Sequence, residues 1–331
     1  MMITSSSLKL IFKGRLEFGN QRSFDMVLRH WENRVETYFK SDILFKPEQV
    51  FDTESFTLTV PTGSLMGTEK QWRSTTALLN ELSQFAVAGS ISAWCLDNGH
   101  LIASLLIEPV SDKAAVAEFR RGCALAVQAG QESEATEALS RAIQKYEKHA
   151  LAYERRGYIN YKLKNFNDAL YDFDRSIGLN PDNPEPYYSR GKVKMIKNDW
   201  EGAGLDFEQA IKRSLALQPV YWLARLKKGE CLFYLKQYAE AIKELQLFVR
   251  RSFDPEDPNF RRRHRAYIQI GKSMLALSDV DGALDAFRIA HSVKADCDLS
   301  PRESRLLDHV ENPDFARSLA QPSVLESEIF A

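Results

Sequence analysis

Along residues 8–18 the apolar positions Leu8, Leu10, Phe12, Leu16 and Phe18 share one parity, and Lys9, Lys13, Arg15 and Glu17 share the other. A period of two predicts a strand with one face on a core and the polar set facing out. Phe24, Val27, Leu28, Trp31, Val35 and Phe39 then recur at steps of three and four, which predicts an amphipathic helix over 24–39. Phe56, Leu58 and Val60 alternate with Thr57 and Thr59, predicting a second strand that the turn "PTG" ends. Thr68 with Gln71 has the spacing of a capping box, opening a second helix through Trp72, Leu78, Leu79, Leu82 and Phe85. Residues 91–96 and 101–107 predict two further strands around "DNGH", where Asn98-Gly99 suits a tight hairpin turn. Residues 7–110 therefore predict an α+β domain, a four-stranded sheet with two helices on one face.

After Pro109 only helical periodicity remains, to about residue 294, and one pattern returns within it. Gly157 is followed 12 residues on by Ala169 and 16 on by Phe173. The same steps join Gly191 to Ala203 and Phe207, Gly229 to Ala241 and Leu245, and Gly271 to Ala283 and Phe287. A fainter copy starts at Gly122, with Ala135 and Leu139 displaced by one residue. Tyr153, Tyr187 and Tyr267 precede three of the glycines by four positions, and Phe166, Trp200 and Tyr238 follow three of them by nine. A small residue is needed where paired helices approach closely, and large ones fill the space around that contact.

This register resembles the tetratricopeptide (TPR) repeat, a helix-turn-helix unit of about 34 residues. The resemblance covers roughly residues 114–294 and implies an all-α solenoid of about five helical hairpins. Pro181 closes one copy, and Asn183-Pro184 suits the cap and first turn of the next. The glycines are spaced 35, 34, 38 and 42 residues apart. Four extra residues near "KRSLALQP" are close to one helical turn, so a helix lengthens there without rotating its face. The longer insertion at "SFDPEDPNF" predicts a loop. Where an aromatic residue is common in the family, this chain has Glu118 and Arg225. Ser300, Pro301 and Glu303 predict the start of a capping helix over 300–311, and 312–331 reads as a flexible tail.

TPR arrays line their concave surface with the first helix of each pair. Carried onto this sequence, that surface takes Glu154, Tyr158 and Tyr161; Tyr188, Lys192 and Met195; Leu226, Glu230 and Phe233; and Ile268 and Lys272. The stripe mixes aromatic, apolar and charged residues, which suits a helix or extended peptide better than a small polar metabolite. Some of these side chains are expected to pack on the neighbouring repeat instead. The lysine and asparagines with which some TPR domains clamp a chaperone's C-terminal carboxylate are absent, the matching places holding Glu154, Tyr158 and Ser189.

Composition narrows the reading further. Across 331 residues the net charge is −1, 44% of residues are hydrophobic and 27% charged, so no global field draws this chain to nucleic acid or an anionic membrane. Cys95, Cys123, Cys231 and Cys297 are scattered and form no C-x-x-C pair, which suits a reducing, cytoplasmic setting. The N-terminus lacks the run of about 7–15 apolar residues of a secretory signal. We find no nucleotide loop, zinc-protease, esterase or EF-hand motif. "PTGSLMG" has no lysine after its glycines, His30 and Glu32 point to different sides of their helix, and Cys95 lacks an assignable base. The sequence therefore implies no catalytic residue, metal or cofactor.

One cluster remains, Arg261, Arg262, Arg263 and Arg265, as a solvated helix start, a site for an acidic protein segment or, less readily, for nucleic acid. The expected function is a scaffold or adaptor whose repeats bind a segment of a partner protein while the N-terminal domain docks on a second partner or on another copy. Two alternatives stand beside it: an enzyme with an unrecognised site in the N-terminal domain whose repeats recruit substrate, and a nucleic-acid-associated regulator using the arginine cluster.

Overall fold

In the computed structural model, which describes residues 7–293 together with Ser304 and Leu307, the first period-two run becomes strand β1, Leu8–Glu17. Helix α1, Gln21–Arg34, is capped by Asn20, whose side chain accepts the Ser23 N–H at 2.9 Å. The helical pattern continues to Phe39 as predicted, but its last part widens into a π-helical segment, Val35–Phe39. Then come α2 (Pro47–Val50), β2 (Phe51–Asp52), β3 (Thr57–Gly67), α3 (Glu69–Ser83), β4 (Ala88–Asp97) and β5 (His100–Ile107). The strands form one antiparallel sheet in the order β2-β3-β1-β4-β5. Leu10, Phe12, Leu16, Phe24, Trp31 and Leu79 meet in its core.

The sheet has five strands where the alternation predicts four. The added strand, β2, has two residues, too few for a period to show. "PTG" is also not the end of its strand: β3 runs through it to Gly67. Between Phe12 and Gly14 the register with β1 shifts, so Pro61 and Thr62 form a bulge that excuses the missing proline N–H from the ladder. Gly14 has φ +126°, and a Cβ there would strike the Ser90 carbonyl of β4. Glu17, predicted to face solvent, is buried. Its carboxylate accepts from Arg15 at 2.8 Å and from the Tyr146 hydroxyl at 2.9 Å, because helices cover that end of the sheet. The capping box forms, Gln71 N–H to Thr68 Oγ1 at 3.2 Å and Thr68 N–H to Gln71 Oε1 at 3.0 Å. Asn98 and Gly99 take the positive φ angles, 48° and 84°, of the predicted tight turn.

Within residues 111–293 ten helices follow: α4 (Ala114–Ala126), α5 (Glu132–Lys145), α6 (Ala150–Lys162), α7 (Phe166–Leu179), α8 (Pro184–Ile196), α9 (Trp200–Arg213), α10 (Pro219–Tyr234), α11 (Tyr238–Val249), α12 (Pro258–Ala276) and α13 (Val280–Ser292). They pair in sequence as hairpins α4/α5, α6/α7, α8/α9, α10/α11 and α12/α13. The repeat register is the contact between the two helices of each pair. A Cβ on Gly157 would lie 2.9 Å from the Phe173 ring, and one on Gly191 2.8 Å from Phe207. Gly122, Gly229 and Gly271 stand in the same way against Leu139, Leu245 and Phe287. Of the two insertions, the first lengthens α10, which has 16 residues against 13 in α8. The second divides between a loop and the 19-residue α12.

By its contacts the chain divides into two compact units at Pro181/Asp182. The first holds the sheet with hairpins α4/α5 and α6/α7. There the Arg15 guanidinium donates to the Leu179 carbonyl at 2.7 Å, and Val87, Ala88 and Ala115 pack with Tyr146. The second holds the remaining hairpins. Of the predicted capping helix, Ser304 and Leu307 are helical, and Leu307 is buried with Phe233, Leu284 and Phe287. The rest of that helix, Cys297 and the tail 312–331 lie outside the described residues. No helix among the described residues is long and apolar enough to cross a membrane.

Candidate functional site

Each first helix presents a different mixture at the stripe positions. On α6 in the first unit, Glu154 is buried, and burial pushes its carboxyl above the ordinary range; the nearest cation, Arg155 at 3.9 Å, only partly offsets this. Tyr158 is 39% exposed and stacks on Tyr161 with ring centroids 6.3 Å apart, while Lys162 lies 5.9 Å from the Tyr158 ring centre. This is an accessible aromatic pair with a cation at its edge.

In the second unit, α8 packs on α10 and α10 on α12. These contacts gather a polar group that the sequence pattern names only in part. The Lys192 ammonium lies 5.2 Å from the centre of the Tyr188 ring, and Tyr188 packs tilted against Phe207, ring centroids 5.8 Å apart. Burial pushes the Lys192 amine below its ordinary range; Glu185 opposes this and the nearby Lys227 adds to it. Lys227 in turn pairs with Glu230 at 2.7 Å, and Arg265 reaches the other Glu230 oxygen at 3.5 Å. Glu230 is only 5% exposed, and its Oε1 accepts no hydrogen bond among the described residues. Two cations, Lys227 and Arg265, thus flank one buried carboxylate, and Lys192 lies close enough to Lys227 to feel its charge.

The rest of the predicted stripe is divided. Met195 and Lys272 are half-buried. Leu226, Phe233 and Ile268 are buried in the cores between hairpins, Phe233 against Tyr234 and Tyr238 and Leu226 with Leu245 and Phe248. The arginine cluster occupies the first turns of α12, where Arg261, Arg262 and Arg265 are exposed and Arg263 is half-buried beside the Phe260 ring at 5.7 Å. Only Arg265 joins the polar group. Lys227 was missed by the repeat register, although its spacing of three from Glu230 on a helix was a readable signal.

Cys95 and Cys231 are buried and Cys123 half-buried, all three free, with burial raising each thiol, Cys123 to about 11 and Cys231 to about 12. His30 reaches Glu81 of α3 at 3.5 Å, next to the Arg34–Glu81 pair at 2.6 Å. Among the described residues no group of three His, Cys, Asp or Glu side chains could hold a metal ion.

Comparison with known proteins agrees with the helical register. Residues 125–184 and 188–258 match the family model of the tetratricopeptide repeat, whereas the N-terminal region matches none. Among solved structures, PilF of Pseudomonas aeruginosa is similar at 14% identity, over 66% of this chain and 90% of its own, with a TM-score of 0.50. MamA is similar at 19% identity over 57% of this chain and 99% of its own, with a TM-score of 0.47. YrrB, a TPR protein with an unusual peptide-binding site, is similar at 19% identity over 59% and 91%, with a TM-score of 0.44. The small and large positions that lock each hairpin, together with the matched residues, identify residues 125–184 and 188–258 as tetratricopeptide repeats, and α12/α13 repeats the same glycine contact beyond them.

Proposed function

We propose that this protein is a non-catalytic scaffold or adaptor. The polar group on α8, α10 and α12 binds an acidic helix or extended segment of a partner protein, and the N-terminal domain serves a second docking event. The observation that carries this reading is the set of cations on the three first helices: Lys227 and Arg265 flank Glu230, Lys192 lies within electrostatic reach of Lys227, and Tyr188 supplies an aromatic wall beside Lys192. Lys192 and Lys227 are partly buried and Arg265 is exposed, so an incoming carboxylate gains charge-assisted hydrogen bonds in a partly desolvated setting. A stacked array is already ordered and loses little entropy on binding.

The reading is tested with a panel of acidic amphipathic peptides and their charge-reversed counterparts, followed by fluorescence anisotropy. Acidic peptides bind and weaken as salt is raised. The double variant Lys192→Gln, Arg265→Gln loses at least about tenfold in affinity, about 1.4 kcal/mol, and keeps the Lys227–Glu230 pair, so its melting temperature stays near that of wild type. Equal binding of acidic and basic peptides, or neutralisation of both cations without effect, would sink it.

A further inference from the structure

Among the described residues strand β5 is an edge of the sheet, paired only with β4. Its sequence, HLIASLLI, carries apolar residues on both faces, and Leu101, Ile102, Leu105 and Leu106 are 53%, 58%, 39% and 57% exposed. Between His100 and Ile107 there is no Lys, Arg, Asp, Glu or Pro. Sheet edges are ordinarily kept from pairing by charge, proline, bulges or brevity. The opposite edge of this sheet is protected in those ways: β2 is two residues long, and the β3 it leaves uncovered carries Pro61 at a bulge. In β5 a register shift sets Leu101 and Ile102 together opposite Leu96, and from Ile102 onward the edge is regular and bare.

We propose that β5 pairs antiparallel with β5 of a second copy of this chain, about a twofold axis through Ser104. A twofold axis normal to a sheet keeps every side chain on its own face, so residues opposite one another must share parity. Centring on Ser104 sets Ile102 against Leu106 and Ser104 against Ser104 on one face, and Ala103 against Leu105 on the other. Large apolar residues then meet large or small apolar ones, and hydroxyl meets hydroxyl. Centring on Ala103 would set Ile102 against Ser104 and His100 against Leu106, which wastes both aliphatic side chains.

A copy of the same strand is the occupant that fits best because the edge has no charge for a charged partner to answer. The apolar side chains of β5, continued by the half-exposed Val110, form a patch of the few-hundred-Å² class that marks interaction surfaces. With the strand's backbone this approaches the roughly 600 Å² per partner of weak, reversible interfaces. Head-to-tail growth would need the protected β2/β3 edge, so the pairing closes at two copies.

Light scattering on the full chain across a micromolar concentration series tests this. The mass rises from 37.8 kDa toward twice that value. Leu106→Lys, a change at an exposed position, keeps the melting temperature and holds the mass at one chain. Ser104→Cys forms a covalent dimer on mild oxidation, since directly opposite Cα atoms about 4.5–5.5 Å apart lie within disulfide reach. Ile102→Cys and the wild-type chain, with its own four cysteines, do not. A wild-type monomer throughout the series overturns the proposal, whether the edge stays bare or takes another protein's strand. So does a dimer that survives Leu106→Lys, or one that crosslinks equally through Ile102→Cys. The Lys192→Gln, Arg265→Gln variant keeps the wild-type mass, so the pairing and the peptide groove fail or hold independently.

Discussion

Hairpins α6/α7 and α12/α13 share one skeleton and bury different chemistry on it. In both, a glycine on the first helix faces a phenylalanine 16 residues later, Gly157 with Phe173 and Gly271 with Phe287. One position before each of those residues, α6/α7 carries Arg156 and Asp172, whose side chains meet in a bidentate pair at 2.7 and 3.0 Å. At the same two places α12/α13 carries Ile270 and Ala286, both buried and part of one apolar cluster. Hairpin α8/α9 follows the charged version, with Arg190 and Asp206 at 2.6 Å. The contact of the glycine with a large apolar residue, Phe or Leu, is therefore the fixed requirement of the hairpin, and the neighbouring pair is a position that either an ion pair or apolar packing can fill.

The largest effect expected from this comparison comes from removing half of the charged version. Asp172 is 1% exposed and also accepts from Asn160 at 3.2 Å. Asp172→Ala leaves the Arg156 guanidinium partly buried with Ser140 Oγ, at 2.9 Å, as a neutral partner. It should cost about 3–5 kcal/mol. Converting the site to the other version, Arg156→Ile with Asp172→Ala, removes both charges and should return stability to within about 1–2 kcal/mol of wild type. Chemical denaturation of the three proteins decides it; a double variant as unstable as Asp172→Ala would mean that the hairpins are not interchangeable at this position.

The contrast also shows what a sequence discloses. Gly157, Ala169 and Phe173 were legible because a close helix contact restricts each to one size class, so the pattern repeats. Arg156 and Asp172 were not, because each alone has the composition of a solvated surface; only the hairpin shows that their spacing of 16 equals that of Gly157 and Phe173. In the sheet, the alternation in β1 placed the core side chains correctly, but Glu17 is buried by helices distant in sequence, which no local period encodes. At the candidate site the first-helix positions were readable. Their accessibility was not, since packing between hairpins buries Leu226, Phe233 and Ile268 and leaves Tyr158 in solvent.

A second difference between the hairpins lies in their histidines. His264 of α12 is buried with Nδ1 donating to the Ala290 carbonyl at 2.6 Å. His149, the N-cap of α6, is buried against the Phe119 ring and uses Nδ1 as an acceptor for the Ala152 N–H at 3.3 Å. Burial pushes its imidazole down to about 4, whereas the unfolded chain titrates near 6.5. Between those values the unfolded state holds the extra proton, so stability is full above about pH 6.5 and falls as pH drops toward 4, by about 3 kcal/mol. His149→Asn keeps a capping acceptor without the titration. The acid limb of a melting-temperature profile should flatten in that variant; an unchanged slope would assign the acid sensitivity elsewhere.

The smallest expected effect tests a feature that the two hairpins share. The residue seven beyond each glycine turns the chain between the helices in the left-handed region, Lys164 at φ 63° and Ser278 at φ 64°, with Asn198 at 59° and Lys236 at 61° in the hairpins between. In each the following N–H closes the helix end, Asn165 onto the Asn160 carbonyl at 2.8 Å and Asp279 onto Met274 at 2.9 Å. A side chain in that region costs about 1–2 kcal/mol, and the extra freedom of glycine in the unfolded chain returns part of it. Lys164→Gly and Ser278→Gly should therefore each stabilise by about 0.5–1 kcal/mol. Asn198→Gly should gain less, since asparagine tolerates the conformation. Lys164→Ala, which removes the long side chain but keeps the Cβ, should be near neutral. If Lys164→Ala gains as much as Lys164→Gly, the benefit comes from losing the lysine and not from relieving the turn.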